Sequence, residues 1–378
     1  MTDERLAQVR LWCAQARIDG PFDTGWPAEI SDAAAVLIAS ARVDEQTRAV
    51  LLARHRADRP LPSIGGYAML RRLTDELARL RERTGRLQGG AVAAMIDYRA
   101  AGLGRRLQTL RSTVESGSGH YASGIRGIRR DRRLGVHLEP RQRAAVVTAL
   151  SRTPVPFAPS TTEQLRGAAA DASARAVRLS ENSVVARISK YLTVPTGEQR
   201  RFADRYDTLL FLAASWFDRI DRSEIWQSDC FAVQRLQLDL ADELVQIAVD
   251  TVALQEIEAD LVAVGSAAVN GPELAEGRQA ALAVVWDQLV DRVGALGRIG
   301  DVLAAAEERV RALAAVDRTV SLDSRIDELI ARSGNRELSA ANTRFVAEQM
   351  IDPGEVLGAL QAAVHDDIVL ITSRARSD

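Results

Sequence analysis

Apolar residues recur at alternating spacings of three and four residues across positions 66–115 of the chain. Such spacing places them on one side of an α-helix, at the positions that face a partner helix in a coiled coil. A helix over 66–115 would be about 70 Å long, more than a compact domain needs, and it predicts pairing with another helix along that length. The leucines of this pattern, the leucine seam, are Leu70, Leu73, Leu77, Leu80 and Leu87, followed after a gap by Leu103, Leu107 and Leu110.

Glycines interrupt the middle of this predicted helix, and each costs about 1 kcal/mol relative to alanine inside a helix. Two interpretations compete. Either the small residues let another helix approach closely, or the segment breaks near Gly89 and Gly90 into an antiparallel hairpin. The charge-free stretch 91–96 beside these glycines also suggests a third use of the region, a membrane-inserting tip at 89–104.

A second long helical pattern covers residues 223–317, in two parts joined by the turn sequence NGPE at 270–273. The first part predicts one helix over 223–265, and the second predicts another over 273–317. Two long helices joined by so short a connection must lie antiparallel. The sequence therefore predicts an antiparallel helical hairpin here.

Turn-forming residues and prolines divide the chain into five predicted segments. Three prolines within residues 154–159 mark the clearest boundary. The segments are 1–62 with short helices, 63–152 with the long heptad helix and an arginine- and glycine-rich basic loop, 153–163 as a proline-rich linker, 164–333 as an antiparallel helical bundle or hairpin, and 334–378 with short C-terminal helices. The predicted fold is all-α, an elongated helical bundle with long antiparallel coiled-coil-like helices.

Composition agrees with a helical core. Hydrophobic residues make up 47% of the chain and aromatic residues only 4%, so small and branched aliphatic side chains must fill the interior. That balance suits helix packing better than a β-sandwich. All of the 49 basic residues except Lys190 are arginine, and because this bias is global it gives no single arginine a special meaning.

The formal net charge of −2 gives no overall attraction to nucleic acid or to an anionic membrane. Charge is nevertheless unevenly distributed. Residues 99–152 contain twelve arginines against three acidic residues, a net charge of +9, whereas residues 218–260 contain eleven acidic residues against three arginines, a net charge of −8. We hypothesise that the two segments attract each other, within one molecule or between subunits; the alternative is two solvated faces.

The arginines of the basic segment concentrate in a glycine-spaced stretch that the sequence predicts as a loop, residues 116–143. Its candidate interaction patch consists of Arg126, Arg129, Arg130, Arg132 and Arg133. Such a patch contacts nucleic-acid phosphates, docks on an acidic protein surface, or is an ordinary solvated loop. Tyr121 is the one aromatic residue near the run and Asp131 interrupts it, so the pattern favours an acidic protein surface over nucleic acid.

Sequence signatures of catalysis and cofactor binding are missing. The chain has no Gly-Lys pair for a P-loop, no HExxH or ExxH, no GxGxxG and no GxSxG. Asp218 and Asp221 can place two carboxylates on one helix face, but no second acidic motif with a matching basic clamp accompanies them. We therefore predict no enzyme activity, no cofactor, and no catalytic, cofactor-binding or metal-ligating residue.

Cysteine usage and hydropathy bear on location. Cys13 and Cys230 lie far apart and form neither a metal-binding pair nor a disulfide framework, which indicates a reducing cytoplasm. The first ten residues are charged and carry no apolar run, so no signal peptide is expected. The longest charge-free run, 261–272, has twelve residues. A membrane-spanning helix needs roughly 20, so we expect a soluble cytoplasmic protein without a transmembrane segment.

These patterns lead to one functional hypothesis and two alternatives. The leading hypothesis is a non-enzymatic helical scaffold or adaptor that acts through protein–protein interaction in a cytoplasmic assembly, with self-association as a further expectation. The first alternative is a nucleic-acid-associated protein that uses the basic loop 116–143. The second is a membrane-active helical bundle. The sequence leaves open whether the long helices pair within the chain or between copies.

Overall fold

The computed structural model describes residues 2–19, 29–86, 90–157, 200–267 and 271–332. These residues are mostly helical, so the predicted all-α fold class is confirmed. In chain order the helices are α1 (Thr2–Gln15), α2 (Asp32–Ala39), α3 (Glu45–Arg56), α4 (Ala68–Arg86), α5 (Ala91–Ser116), α6 (Gly124–Arg133), α7 (Pro140–Leu150), α8 (Arg205–Asp221), α9 (Glu224–Gln227), α10 (Ala232–Gln237), α11 (Leu240–Ala267) and α12 (Gly271–Arg332). Two 3-10 helices, Ser40–Arg42 and Asp229–Phe231, lie between them.

The chain divides into two compact units. Unit 1 consists of Met1–Asp218 and Ala241–Val293, and unit 2 consists of Arg219–Leu240 and Gly294–Asp378. Helices α8, α11 and α12 each contribute residues to both units. The five segments predicted from the sequence stay a prediction.

The single long helix predicted over 66–115 is wrong. Helix α4 ends at Arg86, and α5 begins at Ala91. The residue before α5, Gly90, has a φ of +104°, which lies outside the helical region and is accessible mainly to glycine. The interruption falls where the hairpin interpretation placed it, beside Gly89 and Gly90.

Helices α4 and α5 pack against each other in unit 1. Arg99 Nη2 of α5 donates to Glu76 Oε1 of α4 at 2.6 Å. Seven residues later, Arg106 Nη2 lies 3.6 Å from the Sδ atom of Met69. Because the α4 partner moves back along the chain as the α5 residue moves forward, the two helices run antiparallel.

The core of unit 1 is built from apolar side chains of α2, α4, α5 and α7. They alternate at helical spacing, so each helix buries one face against the others. The buried members from these helices are Ala35 and Ala39 of α2, Leu70, Leu73 and Leu77 of α4, Leu107 and Val114 of α5, and Val146, Val147, Ala149 and Leu150 of α7. This core holds α4 and α5 against the rest of unit 1.

Side-chain caps set where several of these helices begin. Ser31 Oγ accepts the backbone N–H of Ala34 at 3.0 Å and starts α2. The same Ser31 donates its own backbone N–H to Asp218 Oδ2 at 2.7 Å, so one serine joins the start of α2 to α8. Asp44 caps α3 by accepting from Thr47 N at 2.9 Å, and these hydrogen bonds lower the pKa of Asp44 below its ordinary value.

A small antiparallel sheet, which the sequence did not predict, joins β1 (Arg17–Ile18) to β2 (Arg200–Arg201). Two-residue strands are too short to show an alternating pattern. Beside the sheet, the Phe157 N–H donates to the Arg201 carbonyl at 2.8 Å. The described part of the predicted proline-rich linker, 153–157, therefore lies along β2; the rest of it, 158–163, lies outside the described residues.

Helix α8 is almost entirely buried in unit 1. Every side chain from residue 206 to 218 is buried. A helix that is apolar on nearly all sides belongs in an interior rather than at a surface. Its buried polar side chains therefore need partners, and Asp218 finds one in Ser31.

In unit 2, the predicted single helix over 223–265 is wrong in its first part. Helix α9 begins after Ser223, whose Oγ accepts the Trp226 N–H at 3.3 Å, and it ends at Gln227. Extended backbone at Ser228 and again at Leu238 interrupts the helical path, so α11 begins only at Leu240. Ser223 Oγ also donates to Glu307 Oε1 of α12 at 2.6 Å, which fixes this irregular stretch to α12.

Helix α12 runs without a break from Gly271 to Arg332, so it extends beyond the helix predicted over 273–317. Within unit 1, Arg292 of α12 contacts both Glu243 and Asp250 of α11. Because these contacts lie about equally far from residue 270 on the two helices, α11 and α12 run antiparallel there; the predicted hairpin as a whole stays a prediction.

Among the described residues, no helix is long and apolar enough to cross a membrane. The short C-terminal helices predicted in 334–378 lie outside the described residues.

Candidate functional site: the arginine face of helix α6

The segment predicted as a basic loop, 116–143, contains a helix, so the loop prediction is wrong for its centre. Helix α6 covers Gly124–Arg133, and α7 begins at Pro140. Gly135 ends α6 with a φ of +70°, a backbone conformation that favours glycine. The Gly135 N–H reaches the Arg132 carbonyl at 3.1 Å and the Val136 N–H reaches the Asp131 carbonyl at 2.9 Å, the two hydrogen bonds of a Schellman C-cap.

All five arginines of the predicted patch are solvent-exposed side chains of this one helix. Their spacing distributes them over about half of the helix circumference. Three basic residues in the last turn, Arg130, Arg132 and Arg133, also lie where the helix dipole favours positive charge. The structure therefore brings the patch together as one convex basic surface, which we name the α6 arginine face: Arg126, Arg129, Arg130, Arg132 and Arg133.

The opposite side of α6 faces the protein. Asp131 is 2% exposed, and its carboxylate lies 3.5 Å from Arg59 Nη1 and 3.6 Å from Arg130 Nε. Gly127 and Ile128 are half-buried on the same side. Asp131, which interrupts the arginine run in the sequence, thus holds the inner side of the helix to the protein. Its carboxylate is not part of the exposed arginine surface.

Two of the five arginines have acidic neighbours. Arg132 Nη2 donates to Glu139 Oε1 at 2.6 Å, and this hydrogen bond is the main reason why the pKa of Glu139 lies below its ordinary value. Arg130 contacts the buried Asp131. Among the described residues, no acidic partner is found for Arg126, Arg129 or Arg133. These three guanidinium groups give the face its uncompensated positive charge.

Two large apolar side chains flank the arginines. Ile125 is 72% exposed and Leu134 is 59% exposed. Arginine together with exposed aliphatic side chains is typical of protein–protein contact surfaces. No aromatic side chain belongs to this face, so it offers no ring on which a nucleic-acid base could stack.

The leucine seam lies inside unit 1. Leu70, Leu73, Leu77, Leu80 and Leu107 are buried, and Leu103 and Leu110 are partly buried and pack against the core. Leu87 lies outside the described residues. The seam therefore faces other helices of the same chain.

The region of the proposed membrane-inserting tip exposes apolar side chains. Val92 is 60%, Met95 68% and Tyr98 78% exposed, at a spacing of three residues along α5. Asp97 and Arg99 are exposed among them. The membrane-active alternative stays a prediction.

A polar pocket in unit 1 was missed by the sequence reasoning. It has a volume of about 450 Å³ and is lined by four arginines, Arg42, Arg71, Arg111 and Arg152. They come from the 3-10 helix after α2, from α4, from α5 and from the turn after α7. Only tertiary packing joins four residues so far apart in the chain, and no sequence motif could have indicated them.

One carboxylate in this pocket titrates abnormally. Asp207 of α8 is 6% exposed, and burial raises its pKa from 3.8 to about 6, although Arg71 Nη2 lies 3.5 Å away and opposes the shift. Asp204 and Asp75 add to the increase, and Arg42 opposes it. Between these two pKa values the folded state keeps a proton that the unfolded state has released. The free energy of unfolding therefore falls as the pH rises through this window.

We expect Asp207→Asn to remove this pH dependence. Relative to the variant, the wild type should lose on the order of 2 to 3 kcal/mol of unfolding free energy between pH 4 and pH 6.5. Urea unfolding at a series of pH values measures the difference. Asp287→Asn, at a carboxylate of α12 that is 60% exposed and does not line the pocket, is the control and should leave the slope in place. Parallel pH profiles of wild type and Asp207→Asn would contradict the assignment.

Comparison with known proteins finds no matching family, no similar curated protein and no similar solved structure. Among the described residues, no group of three or more His, Cys, Asp and Glu side chains is placed to hold a metal ion.

Proposed function

We propose that the protein is a non-enzymatic helical scaffold or adaptor in a cytoplasmic assembly, and that it binds an acidic protein surface through the α6 arginine face. One observation supports this most directly. Five exposed arginines share one helix, and three of them lack an acidic partner among the described residues. The described residues do not neutralise the positive charge of this face. A partner with a complementary acidic surface would associate faster and in a defined orientation.

The chemistry of the flanking residues favours a protein over a nucleic acid. Exposed Ile125 and Leu134 offer apolar area that a phosphate backbone cannot use, whereas a protein partner can bury it. Nucleic-acid binding by an arginine patch depends mainly on phosphate contacts and counterion release, and it does not need apolar side chains of this kind. Nucleic acid is the alternative partner, and the experiment below separates the two.

The proposal includes the framework that presents this face, an elongated bundle of antiparallel coiled-coil-like helices. Its support is the antiparallel packing of α4 on α5 and of α11 on α12 within unit 1. Burial of the leucine seam inside unit 1 favours pairing of these helices within the chain. Any self-association would then use other surfaces.

Attraction between the +9 and −8 segments is retained only as a prediction. The acidic residues of 241–260 whose ion pairs are resolved contact arginines from elsewhere in unit 1. Asp242 lies 3.9 Å from Arg56, Glu258 pairs with Arg205, and Glu243 pairs with Arg292. These partners lie outside the basic segment, which supports a separate acidic protein as the occupant of the α6 arginine face.

A defined probe tests the proposal. The wild type is titrated with a labelled amphipathic helical peptide of glutamate and leucine, and separately with duplex DNA of the same net charge at the same ionic strength. We expect tighter binding of the peptide. Replacing Arg126, Arg129 and Arg133 together with Gln should weaken peptide binding on the order of ten- to a hundredfold, because each contact at such a rim contributes about 0.5 to 1 kcal/mol. Replacing Ile125 and Leu134 with Ser should weaken it as well.

The matched control replaces the same number of exposed arginines on α4 and α5, Arg83, Arg86 and Arg105, with Gln. Peptide binding should then change less than threefold, because the face is intact. Equal losses in the two triple variants would mean that only net charge matters. Preferential DNA binding with a steep salt dependence would move the function to nucleic acid. Affinity purification from the host, with and without nuclease, then identifies the natural partner by its loss from the α6 variant alone.

A further inference from the structure

The arginine-lined pocket of unit 1 is separate from the α6 arginine face. Its volume of about 450 Å³ falls in the range of small-molecule sites. Two smaller depressions adjoin it, of about 340 Å³ and 300 Å³, which share Arg152 and Arg111 with it respectively. The pocket therefore has room for a ligand larger than a single ion.

The carboxylates of the pocket are already engaged. Arg71 Nε donates to both oxygens of Asp75, at 3.1 and 2.8 Å, and Arg71 Nη2 lies 3.5 Å from Asp207. Asp204 Oδ1 accepts the Asp207 backbone N–H at 2.8 Å, and its Oδ2 accepts from Gln255 at 3.0 Å. Arg71 is thus the arginine of the pocket that contacts Asp75 and Asp207 directly.

The other three arginines have no carboxylate partner among the described residues. Arg42 donates only to the amide oxygen of Gln255, at 3.2 Å. The side chains of Arg111 and Arg152 make no hydrogen bond or ion pair with the described residues, and the Nε atom of Arg111 is buried without an acceptor. A buried donor without an acceptor is costly, so an acceptor supplied by a ligand would be favoured.

The electrostatics agree with this account. Burial lowers the pKa of Arg42 from its ordinary value and the positive charge of Arg152 lowers it further, whereas Asp207 and Glu256 act in the opposite direction. At Arg42, burial and a neighbouring cation therefore outweigh the nearby carboxylates, so an added anion would be favoured there. Guanidinium groups match the geometry of phosphate oxygens and bind them by paired, charge-assisted hydrogen bonds.

We infer that this pocket binds a phosphate monoester, with the phosphate held by Arg42, Arg111 and Arg152. The hydroxyls of the pocket suit the rest of such a ligand. Thr74 Oγ1 and Thr148 Oγ1 already donate to the carbonyls of Leu70 and Ala144, so they offer lone pairs to hydroxyl groups of the ligand. The ligand class is a phosphorylated hydroxyl-bearing compound, free in solution or as a lipid headgroup.

Calorimetric titration with glycerol 3-phosphate and with inorganic phosphate, at constant ionic strength, tests the site. Glycerol is the neutral control and should not bind. Arg111→Gln and Arg152→Gln should each raise the Kd about tenfold or more, since each removes a charge-assisted contact. Arg105→Gln, at an exposed arginine six residues before Arg111 on α5, should leave the Kd within twofold. Circular dichroism and thermal unfolding of each variant verify folding.

A second arm separates the two sources of the phosphate. Phosphatidylcholine vesicles with and without phosphatidic acid present the same phosphate monoester at a membrane. Arg111-dependent binding to soluble phosphates assigns a free ligand, whereas Arg111-dependent sedimentation with phosphatidic acid vesicles alone assigns a lipid headgroup. Lack of saturable binding in both arms, or binding that Arg111→Gln and Arg152→Gln leave unchanged, would overturn the inference.

A third measurement needs no variant and so does not depend on mutant folding. Phenylglyoxal modifies accessible arginines of the wild type, and mass spectrometry gives the rate at each residue. Glycerol 3-phosphate should slow modification of Arg111 and Arg152 several-fold while Arg105 reacts at an unchanged rate. Equal rates at all three residues with and without the phosphate would also overturn the inference.

Discussion

Arg54→Met is expected to lower the free energy of unfolding by on the order of 3 to 5 kcal/mol, a very large effect for one substitution. Arg54, near the end of α3, is 3% exposed. Its guanidinium donates to three backbone carbonyls, Val136 at 3.0 Å, His120 at 2.9 Å and Pro60 at 3.3 Å. These carbonyls belong to three different connecting segments, so one side chain fixes the segments before and after α6.

The size of the effect follows from what methionine leaves behind. A hydrogen bond to a charged donor contributes about 1.5 to 3 kcal/mol, and the Val136 carbonyl, whose hydrogen bond to Arg54 is buried, would be left without that donor. Arg54 Cζ also lies 5.4 Å from the ring centroid of Tyr121, which Arg143 covers at 3.9 Å. Burial lowers the pKa of Arg54 from its ordinary value, so the fold accepts a costly buried cation in order to join these segments.

Urea unfolding at neutral pH measures the change. The control is Arg56→Met, two residues further along, at a side chain that is 54% exposed and lies 3.9 Å from Asp242. An exposed pair of that kind contributes less than about 1 kcal/mol. Arg54→Lys keeps the charge but cannot reach three carbonyls, so it should recover only part of the loss. If Arg54→Met is no more harmful than Arg56→Met, the bridging role is wrong.

The helical class and the burial pattern of α4 follow from local sequence. Leu70, Leu73 and Leu77 recur at helical spacing, and a helix with such a stripe must bury it. The sequence indicated the break between α4 and α5 only as one of two competing interpretations. A glycine lowers helix stability by about 1 kcal/mol wherever it stands, so its cost alone does not say which glycine ends the helix.

Helix α6 shows why a pattern can be seen and still be given the wrong conformation. Gly124 and Gly127 suggested a loop, because glycine is unfavourable in helices. Tertiary contacts reversed that preference, since Asp131 anchors the inner side and Gly135 supplies the left-handed C-cap. The arginine spacing was visible in the sequence, but the burial of Asp131 required a partner, Arg59, that is distant in the chain.

The arginine pocket and Arg54 lay beyond the reach of sequence reasoning for a common reason. Their roles depend on groups contributed by several elements. Arg54 in particular binds backbone carbonyls, which every residue type has, so the sequence does not show which of them are bound. In a chain with 49 basic residues, almost all of them arginine, no composition signal singles these out. Buried cations of this kind become visible only once the fold is known.

The second large effect concerns Arg292, which joins α11 to α12 in unit 1. Its Nε and Nη2 donate to the two oxygens of Glu243 at 2.9 and 3.1 Å, and its Nη1 donates to Asp250 at 2.9 Å. The side chains of Arg292 and Glu243 are only 15% and 9% exposed. Burial acts to lower the pKa of Arg292, but the two carboxylates outweigh it and raise the pKa above its ordinary value.

Arg292→Leu should therefore lower the free energy of unfolding by about 3 to 5 kcal/mol, because it leaves the Glu243 carboxylate buried without its counter-charge. Glu243→Leu combined with Arg292→Leu should cost less than Arg292→Leu alone, since two packed leucines replace the buried pair and only Asp250, which is 44% exposed, loses its partner. The control is Arg10→Leu, at an exposed arginine of α1 that lies 3.6 Å from Asp287 of the same helix α12. It should cost less than about 1 kcal/mol.

A double-mutant cycle measured by urea unfolding decides between two roles for this contact. If the pair stabilises unit 1 only through its mutual compensation, the single losses exceed the double loss and the coupling energy is on the order of 2 kcal/mol or more. If the losses of unfolding free energy in the two single variants simply add, Arg292 and Glu243 act independently. The packing of α11 on α12 then does not depend on the bidentate contact between them. Because apolar contacts can hold two helices at many registers, whereas a bidentate pair holds one, a large coupling would make Arg292 the residue that sets the register of this hairpin.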